Sequence, residues 1–237
     1  MKKISIIIPV LNEEKCLSTL LPSIASQEGV ESQVIIADAG STDSTRAIAK
    51  RYKAKVVKGG LPAVGRNSGT KYAKNERIAF FDADIEIPPG FLKKCIEELE
   101  RKKADLGVVI ARARSDKLLD KFLFFLWNCI VVLTQKIYPH AIGACIFSTK
   151  TLHKKINGFR TDISLGEDSN YALKASKAGK LTILKEKIYT SARRLAVEGR
   201  WNMFKKMFLC GVHRIFIGEA TGNKFNYKFD YDKKKKY

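Results

Sequence analysis

Residues 77–91 read RIAFFDADIEIPPGF, an apolar run from Ile78 to Phe81 that ends in two carboxylates, Asp82 and Asp84, one residue apart. The run has the short, aromatic and β-branched makeup of a strand covered on both faces, so the two aspartates fall at its C-terminal edge. Side chains two apart on a strand point the same way, and two such carboxylates repel unless a cation or a hydrogen-bond network compensates them. Open α/β sheets place ligands at that edge, and a divalent metal there would resolve the repulsion. The alternative is a pair of loop carboxylates capping a helix that begins near Pro88-Pro89, where Asp is common. Asp-x-Asp alone is too frequent a tripeptide to choose between them.

The surrounding sequence supplies the frame. Apolar strand candidates at Ile4–Ile8, Gln33–Ala37, Lys55–Val57, Ile78–Phe81 and Leu106–Ile110 alternate with segments of helical spacing at Glu13–Gln27, Ser44–Tyr52 and Phe91–Lys102. That alternation predicts an α/β fold with a doubly wound, mainly parallel sheet. No G-x-G-x-x-G follows the first strand and no G-x-x-x-x-G-K occurs, so the usual phosphate cradles are missing. In such a sheet three strand ends share one edge: Pro9 and Asn12 with Glu14 beside them, Asp38 through Asp43, and Asp82-Ala83-Asp84. Asp38 can accept a hydrogen bond from a base ring, while Asp82 and Asp84 reach ribose and a metal-bound diphosphate. Between them GGLPAVGRNSGTKYA, residues 59–73, puts Arg66 and Asn67 on a helix, with Gly65 and Gly69 permitting close backbone approach. Arg66 is a candidate phosphate fork. Ordinary helix capping is the alternative for Ser41-Thr42-Asp43, and a solvated helix charge the alternative for Arg66.

Composition narrows the setting. A chain of 237 residues with 45% hydrophobic content suits one α/β domain plus an appendage. Its net charge of +20 implies an anionic partner: nucleic acid, an acidic membrane leaflet or phosphorylated small molecules. The five cysteines form no Cys-x-x-Cys pair and, with three scattered histidines, make no zinc site; an odd, unclustered count fits a reducing compartment. The opening MKKISIIIPVLNEEK superficially resembles a signal peptide, but its apolar run stops at Asn12-Glu13-Glu14, which fits the first strand of a cytosolic fold.

These motifs carry a family resemblance. SIIIPVLNEEKCL, IIADAGSTDST, GRNSGTKYA followed by IAFFDAD, then GACIFSTKTLHKKINGF and LGEDSNYALKASKAGK resemble, in order and spacing over about residues 3 to 200, the family 2 inverting glycosyltransferases of the GT-A fold. That is the broad group including dolichyl-phosphate mannose synthase. The resemblance implies a UDP- or GDP-linked sugar donor, Mg²⁺ or Mn²⁺ held at Asp84, and Asp168 of the Glu167-Asp168 pair as catalytic base. Two acidic residues in a first helical turn, favoured by the helix dipole, are the alternative for that pair. An already ionised lipid-phosphate acceptor would need no base, and Asp168 would position it instead.

The chain also departs from the pattern. Lys174 stands where many members carry Arg, and Val197-Glu198-Gly199-Arg200-Trp201 stands where processive members carry Gln-x-x-Arg-Trp. The glutamine is lost, so a polymerising synthase is not inferred, although Arg200 and Trp201 remain candidates for the acceptor side. TSARRL at 190–195 resembles a segment of small members in which Arg193 or Arg194 contacts the diphosphate; a solvated charge is the alternative.

Two apolar segments complete the reading. LLDKFLFFLWNCIVVLTQKIY, residues 118–138 within an insertion at 117–138, has an apolar stretch of only about a dozen residues against the roughly 20 a spanning helix requires. RWNMFKKMFLCGVHRIFIG, residues 200–218, puts Phe204, Met207, Phe208, Val212 and Ile215 on one helical face, with Lys206, His213 and Arg214 toward the other, the pattern of a basic interfacial helix. From Arg193 onward 12 Lys/Arg stand against 4 Asp/Glu, a bias that suits anionic lipid. Packing of both helices on the protein's own core or on a second subunit is the alternative.

The expectation is therefore a GT-A catalytic domain over 1–192 and a basic amphipathic helical extension over 193–237. It predicts a metal-dependent inverting glycosyltransferase, cytoplasmic and peripheral on the inner face of the cell membrane, with a lipid-linked, polyprenyl-type acceptor. A non-catalytic basic module for nucleic acid or anionic membrane explains the charge but leaves the carboxylate pairs unexplained, and aromatic and basic residues do not interleave as nucleic-acid binding asks. A nucleotidyltransferase should open on a Gly-rich phosphate loop, and this chain opens on Pro9-Val10-Leu11-Asn12.

Overall fold

The structure is a computed structural model and describes residues 1–227; the lysine run 233–236 lies outside the described residues. The elements run β1 (Lys2–Val10), α1 (Glu14–Ala25), β2 (Val30–Asp38), α2 (Thr45–Arg51), β3 (Lys55–Lys58), α3 (Pro62–Thr70), β4 (Arg77–Phe81), β5 (Ile85–Glu86) and α4 (Phe91–Lys102). They continue with β6 (Leu106–Arg114), α5 (Leu118–Thr134), β7 (Cys145–Thr149), α6 (Lys150–Lys155), α7 (Glu167–Ala178), β8 (Leu181–Ser191), α8 (Arg193–Glu198) and α9 (Arg200–Phe216).

Eight strands form one sheet in the order β3-β2-β1-β4-β7-β6-β8-β5. β1, β2, β3 and β4 pair in parallel, as their alternation with helices predicts. β7 enters antiparallel between β4 and β6, and β5 pairs antiparallel with β8 at the far edge. The sheet is thus mixed and mostly parallel, with helices on both faces.

The double cover explains the continuous apolar runs. Along β1, Ile6 and Ile8 enter one core with α1 and α4, while Ile7 enters the other with α3, α6 and α7. β4 divides the same way, Ala79 and Phe81 against Ile78 and Phe80. Each fully buried Phe or Ile is worth about 1.5–3 kcal/mol of transfer free energy, so neither strand can slip by one residue.

α3 lies unusually close to β1. A Cβ on Gly65 would stand 2.9 Å from Pro9 Cβ, and one on Gly69 2.5 Å from Ile7 Cγ2, so the i, i+4 glycines let the helix seat directly on the strand. Arg66, next in sequence to Gly65, is consequently driven into the interior. α4 begins at Phe91 behind Gly90 with no side-chain cap, which removes the capping reading of Asp82 and Asp84.

α5, α8 and α9 build a third cluster in which Leu123, Leu195 and Met203 meet Phe124, Phe204 and Met207. This corrects the expected face of the C-terminal helix. Phe204 and Met207 turn inward with Met203 and Cys210, Arg214 is buried, and Phe208, Val212 and Ile215 stay exposed. Among the described residues no helix is long and apolar enough to cross a membrane.

Candidate active site

Register places the strand ends together: Val10 pairs with Asp38, and Ile7 with Phe80, which brings Asp82 to the level of Pro9. Hydrogen bonds then stitch the loops above the sheet. Asn12, in the left-handed region at φ 53°, accepts from the Thr42 N–H at 2.9 Å and donates its own N–H to Ser41 Oγ at 2.9 Å. Glu14 accepts from Ser44 N–H, and Asp43 accepts from Glu14 N–H and Thr45 N–H. The capping alternative therefore describes Asp43, and Asn12 and Glu14 shape the loops.

Asp38 ends β2 in a recess with Gly40, Arg46, Val57 and Lys58. Burial works against its charge, but hydrogen bonds from Ser41 N–H and Arg46 hold its carboxyl below the usual range. Ala39 borders both this recess and a second cavity of about 390 Å³. Pro9, Glu13, Arg66, Asp82, Asp84 and Asp168 all line that second cavity.

Arg66 is 2% exposed and spans the cavity floor. Its Nη1 donates to Glu167 Oε1 at 2.9 Å, and its Nη2 to Asp82 Oδ1 at 2.8 Å and to the Gly143 carbonyl at 3.2 Å. It is neither solvated nor an open fork, because carboxylates occupy both prongs. The buried Nε has no hydrogen-bond partner.

Asp84 sits above β4, where its backbone carbonyl accepts from Ser191 N–H and Oδ1 accepts from Thr190 Oγ1 at 3.4 Å. Burial first, then the charges of Asp82 and Glu13, push its carboxyl up to about 6, against the pull of Arg193 and Arg194. Glu13 lies in the same Asn-Glu-Glu turn, where nothing in the sequence sets it apart from Glu14. One of its oxygens takes a bond from Arg193 at 2.8 Å, while the other is buried without a partner. Arg194 lines the cavity with its guanidinium 4.4 Å from the Tyr227 ring centroid.

Across the cavity, Gly166 at φ 89° turns the chain into α7, whose first turn carries Glu167 and Asp168. Asp168 Oδ2 accepts from Gly143 N–H at 2.7 Å and Oδ1 from Ser169 N–H at 2.7 Å, which fixes its carboxylate plane. Burial and the neighbouring Asp168 raise the Glu167 carboxyl, with Arg66 opposing. Gly143 thus touches both Arg66 and Asp168, a role its sequence does not announce.

Arg200 and Trp201 stand outside the cavity. Arg200 is tied to Asp120, which joins the start of α9 to α5, and Trp201 is exposed with its edge toward Phe204. Met203, Phe204, Met207, Cys210, Gly211 and Arg214 are what α9 presents to the cavity. Lys174 lies apart from it, bonded to the Gly158 carbonyl.

No cluster of three or more His, Cys, Asp or Glu is arranged to hold a metal ion among the described residues. Two of the residues nevertheless suit a hard divalent cation that takes most of its shell from a ligand: Asp84, whose carboxyl is raised by burial and then by the charges of Asp82 and Glu13, and Glu13, which has a buried oxygen left unpaired. Asp84 would be the protein's direct contribution.

Residues 5–158 match the family model described as Glycosyl transferase family 2. The poly(ribitol-phosphate) beta-N-acetylglucosaminyltransferase TarS of Staphylococcus aureus is 26% identical over 201 residues, covering 80% of this chain and 35% of that protein. This chain spans about a third of the length of the curated relatives it matches. The structure of S. aureus TarS 1–349 in complex with UDP-GlcNAc superposes with TM-score 0.67 at 22% identity, covering 98% of this chain and 77% of that one. A mannosyltransferase from Pyrobaculum calidifontis in complex with GDP-Man and Mn²⁺ superposes with TM-score 0.71 at 20% identity, covering 92% and 65%. The sheet and its helices are the GT-A architecture of these enzymes.

Proposed function

The chain belongs to glycosyltransferase family 2, and from that premise we propose that it is a metal-dependent inverting glycosyltransferase acting on a lipid-linked acceptor at a membrane face. The observation that carries the reading is the placement of Asp84 and Asp168 on one cavity, with Arg66 bonded to a neighbour of each.

The donor is a UDP- or GDP-linked sugar, the class bound by the TarS and mannosyltransferase neighbours. Its base lies in the Asp38 recess, where a depressed carboxylate accepts from a ring N–H, and the rest of the donor passes Ala39 into the second cavity. Pro9, Asn12 and Glu14 shape the loops beside it, and Asp82, held by Arg66, orients the ribose side. Mg²⁺ or Mn²⁺ on Asp84 would neutralise the charge that develops on the leaving diphosphate. Arg194, with Arg193 behind it, adds positive charge on the same side.

In the transfer step the acceptor oxygen attacks the anomeric carbon from the face opposite the diphosphate. The new C–O bond forms as the old one breaks, and the electron pair leaves with the diphosphate, which inverts the centre. A hydroxyl acceptor passes its proton to Asp168; a phosphate acceptor is already ionised and needs only positioning. The Gly143 and Ser169 amides hold Asp168 in place for either task.

The C-terminal extension from Arg193, beyond a catalytic domain at 1–192, is proposed to seat the protein on an anionic leaflet from the cytoplasmic side. The exposed outer faces of α5 and α9 support this, with Phe125 64% and Phe216 81% accessible, alongside a strongly basic chain. The test of donor class is a thermal shift with UDP and GDP, with and without Mn²⁺. A shift that requires both nucleotide and metal is expected, and no shift with either nucleotide would overturn the reading.

A further inference from the structure

We propose that the gap between α5 and α9 is the seat of the acceptor's hydrocarbon chain. The inference rests on the transferase reading above and assigns the inner half of the same cavity.

The cavity that holds Asp168 extends to the α5–α9 cluster, where Leu123, Phe124 and Trp127 of α5 and Met203, Phe204 and Met207 of α9 line it, with Arg194, Arg214 and Tyr227 beside them. A sugar or polyol acceptor threaded through these walls would lose water without gaining hydrogen bonds, whereas an alkyl or polyprenyl chain gains by leaving water. The charges nearest the gap are already engaged. Arg214 holds Glu219 through two bonds of 2.8 and 3.0 Å.

Gly211 is the second, independent observation. It lies inside α9 and on the cavity, and a Cβ built on it meets nothing within 4 Å. Its φ lies outside the left-handed region, so the backbone does not demand glycine. A glycine in a helix interior weakens the helix relative to alanine and exposes backbone. Packing within the protein therefore gives no reason for the residue, whereas an occupant lying along α9 does.

The same two helices are apolar outside as well as in. Phe122 and Phe125 flank the lining residues of α5, and Phe208 and Leu209 flank those of α9. A chain in a hydrocarbon phase thus meets apolar surface on the outside of both helices, its reactive head toward Asp168.

The experiment uses the full chain. There are two tryptophans, so in a Trp201→Phe background Trp127 alone reports the gap. The probe is 12-bromododecanol, whose bromine quenches on contact, with 3-bromopropanol as the control without a chain. Saturable quenching by the long probe and none by the short one is expected. Gly211→Leu, which puts a side chain where about two methylenes of the probe would lie, should weaken that binding roughly tenfold. Gly211→Ala should weaken it less. The Mn²⁺-dependent nucleotide shift serves as the control for folding and should persist in both variants. Quenching that does not saturate, or that is unchanged by Gly211→Leu while the nucleotide shift persists, overturns the chain site alone. Absence of the nucleotide shift in every protein, the parent included, overturns the transferase reading and the acceptor assignment with it.

Discussion

Replacing Arg66 by methionine keeps an apolar stem inside the protein and removes the charge that joins β4's end to α7. Arg66 is 2% exposed and its Glu167 partner 13%, so hydration cannot replace the lost pairing for Glu167; Asp82, at 38%, can turn to water. Breaking a buried pair by deleting one partner costs about 3–5 kcal/mol, and the exposure of Asp82 argues for the lower end, about 3 kcal/mol. For a chain of this length that corresponds to a fall in Tm of roughly 6–12 °C. Urea unfolding of the metal-free protein measures it directly. The pH dependence has a definite sign. Burial and Asp168 raise the Glu167 carboxyl, and its charge is the destabilised form once the guanidinium is gone. That cost is complete above the folded pKa and vanishes below the unfolded value of about 4.3, so the deficit of Arg66→Met should shrink as pH is lowered from 8 toward 5. Adding Glu167→Gln should recover part of the loss, with a coupling of about 1–3 kcal/mol. A deficit under about 1 kcal/mol, or one that Glu167→Gln leaves untouched, would show that the bridge does not hold the site together.

Asp84→Asn should abolish the metal-dependent part of the nucleotide thermal shift while leaving the metal-free protein at least as stable as the parent, since it removes one of three mutually repelling carboxylates. Full metal dependence in that variant would refute the metal role. Asp168→Asn should bind donor normally and lose transfer to a hydroxyl acceptor by about 10²-fold or more, measured as product formed against nucleotide affinity; wild-type turnover would return Asp168 to a helix-terminus role. Binding to vesicles containing anionic lipid should weaken as salt rises, and Phe208→Ser with Phe216→Ser should weaken it even at low salt, because apolar burial is not screened. Indifference to anionic vesicles at low salt would remove the membrane reading.

The parts legible in the sequence are those whose physics is local. β1 and β4 were readable because burial on both faces leaves an uninterrupted apolar run. β8 was not, because Lys185, Glu186 and Lys187 break its pattern where the strand nears the edge of the sheet. β5 has only two residues, and the antiparallel entry of β7 is a property of pairing that no periodicity encodes. In the site, the strand-end position of Asp84 and the helix-start position of Asp168 followed from motif order. The partners of Arg66 did not, since Gly143 and Glu167 lie 77 and 101 residues away. α9 was legible as a helix but not in its orientation: it is apolar on two sides, and spacing alone cannot say which side meets the cavity. Met203 and Met207 turned inward while Phe208 and Ile215 stayed out.

The most direct test is a panel of UDP- and GDP-linked sugars incubated with the full chain and Mn²⁺, scoring nucleotide release with and without a chelator. Release from at least one donor, abolished by the chelator and by Asp84→Asn, is the predicted result. Release from none of them, with neither UDP nor GDP stabilising the protein, would contradict the assignment of this cavity to glycosyl transfer.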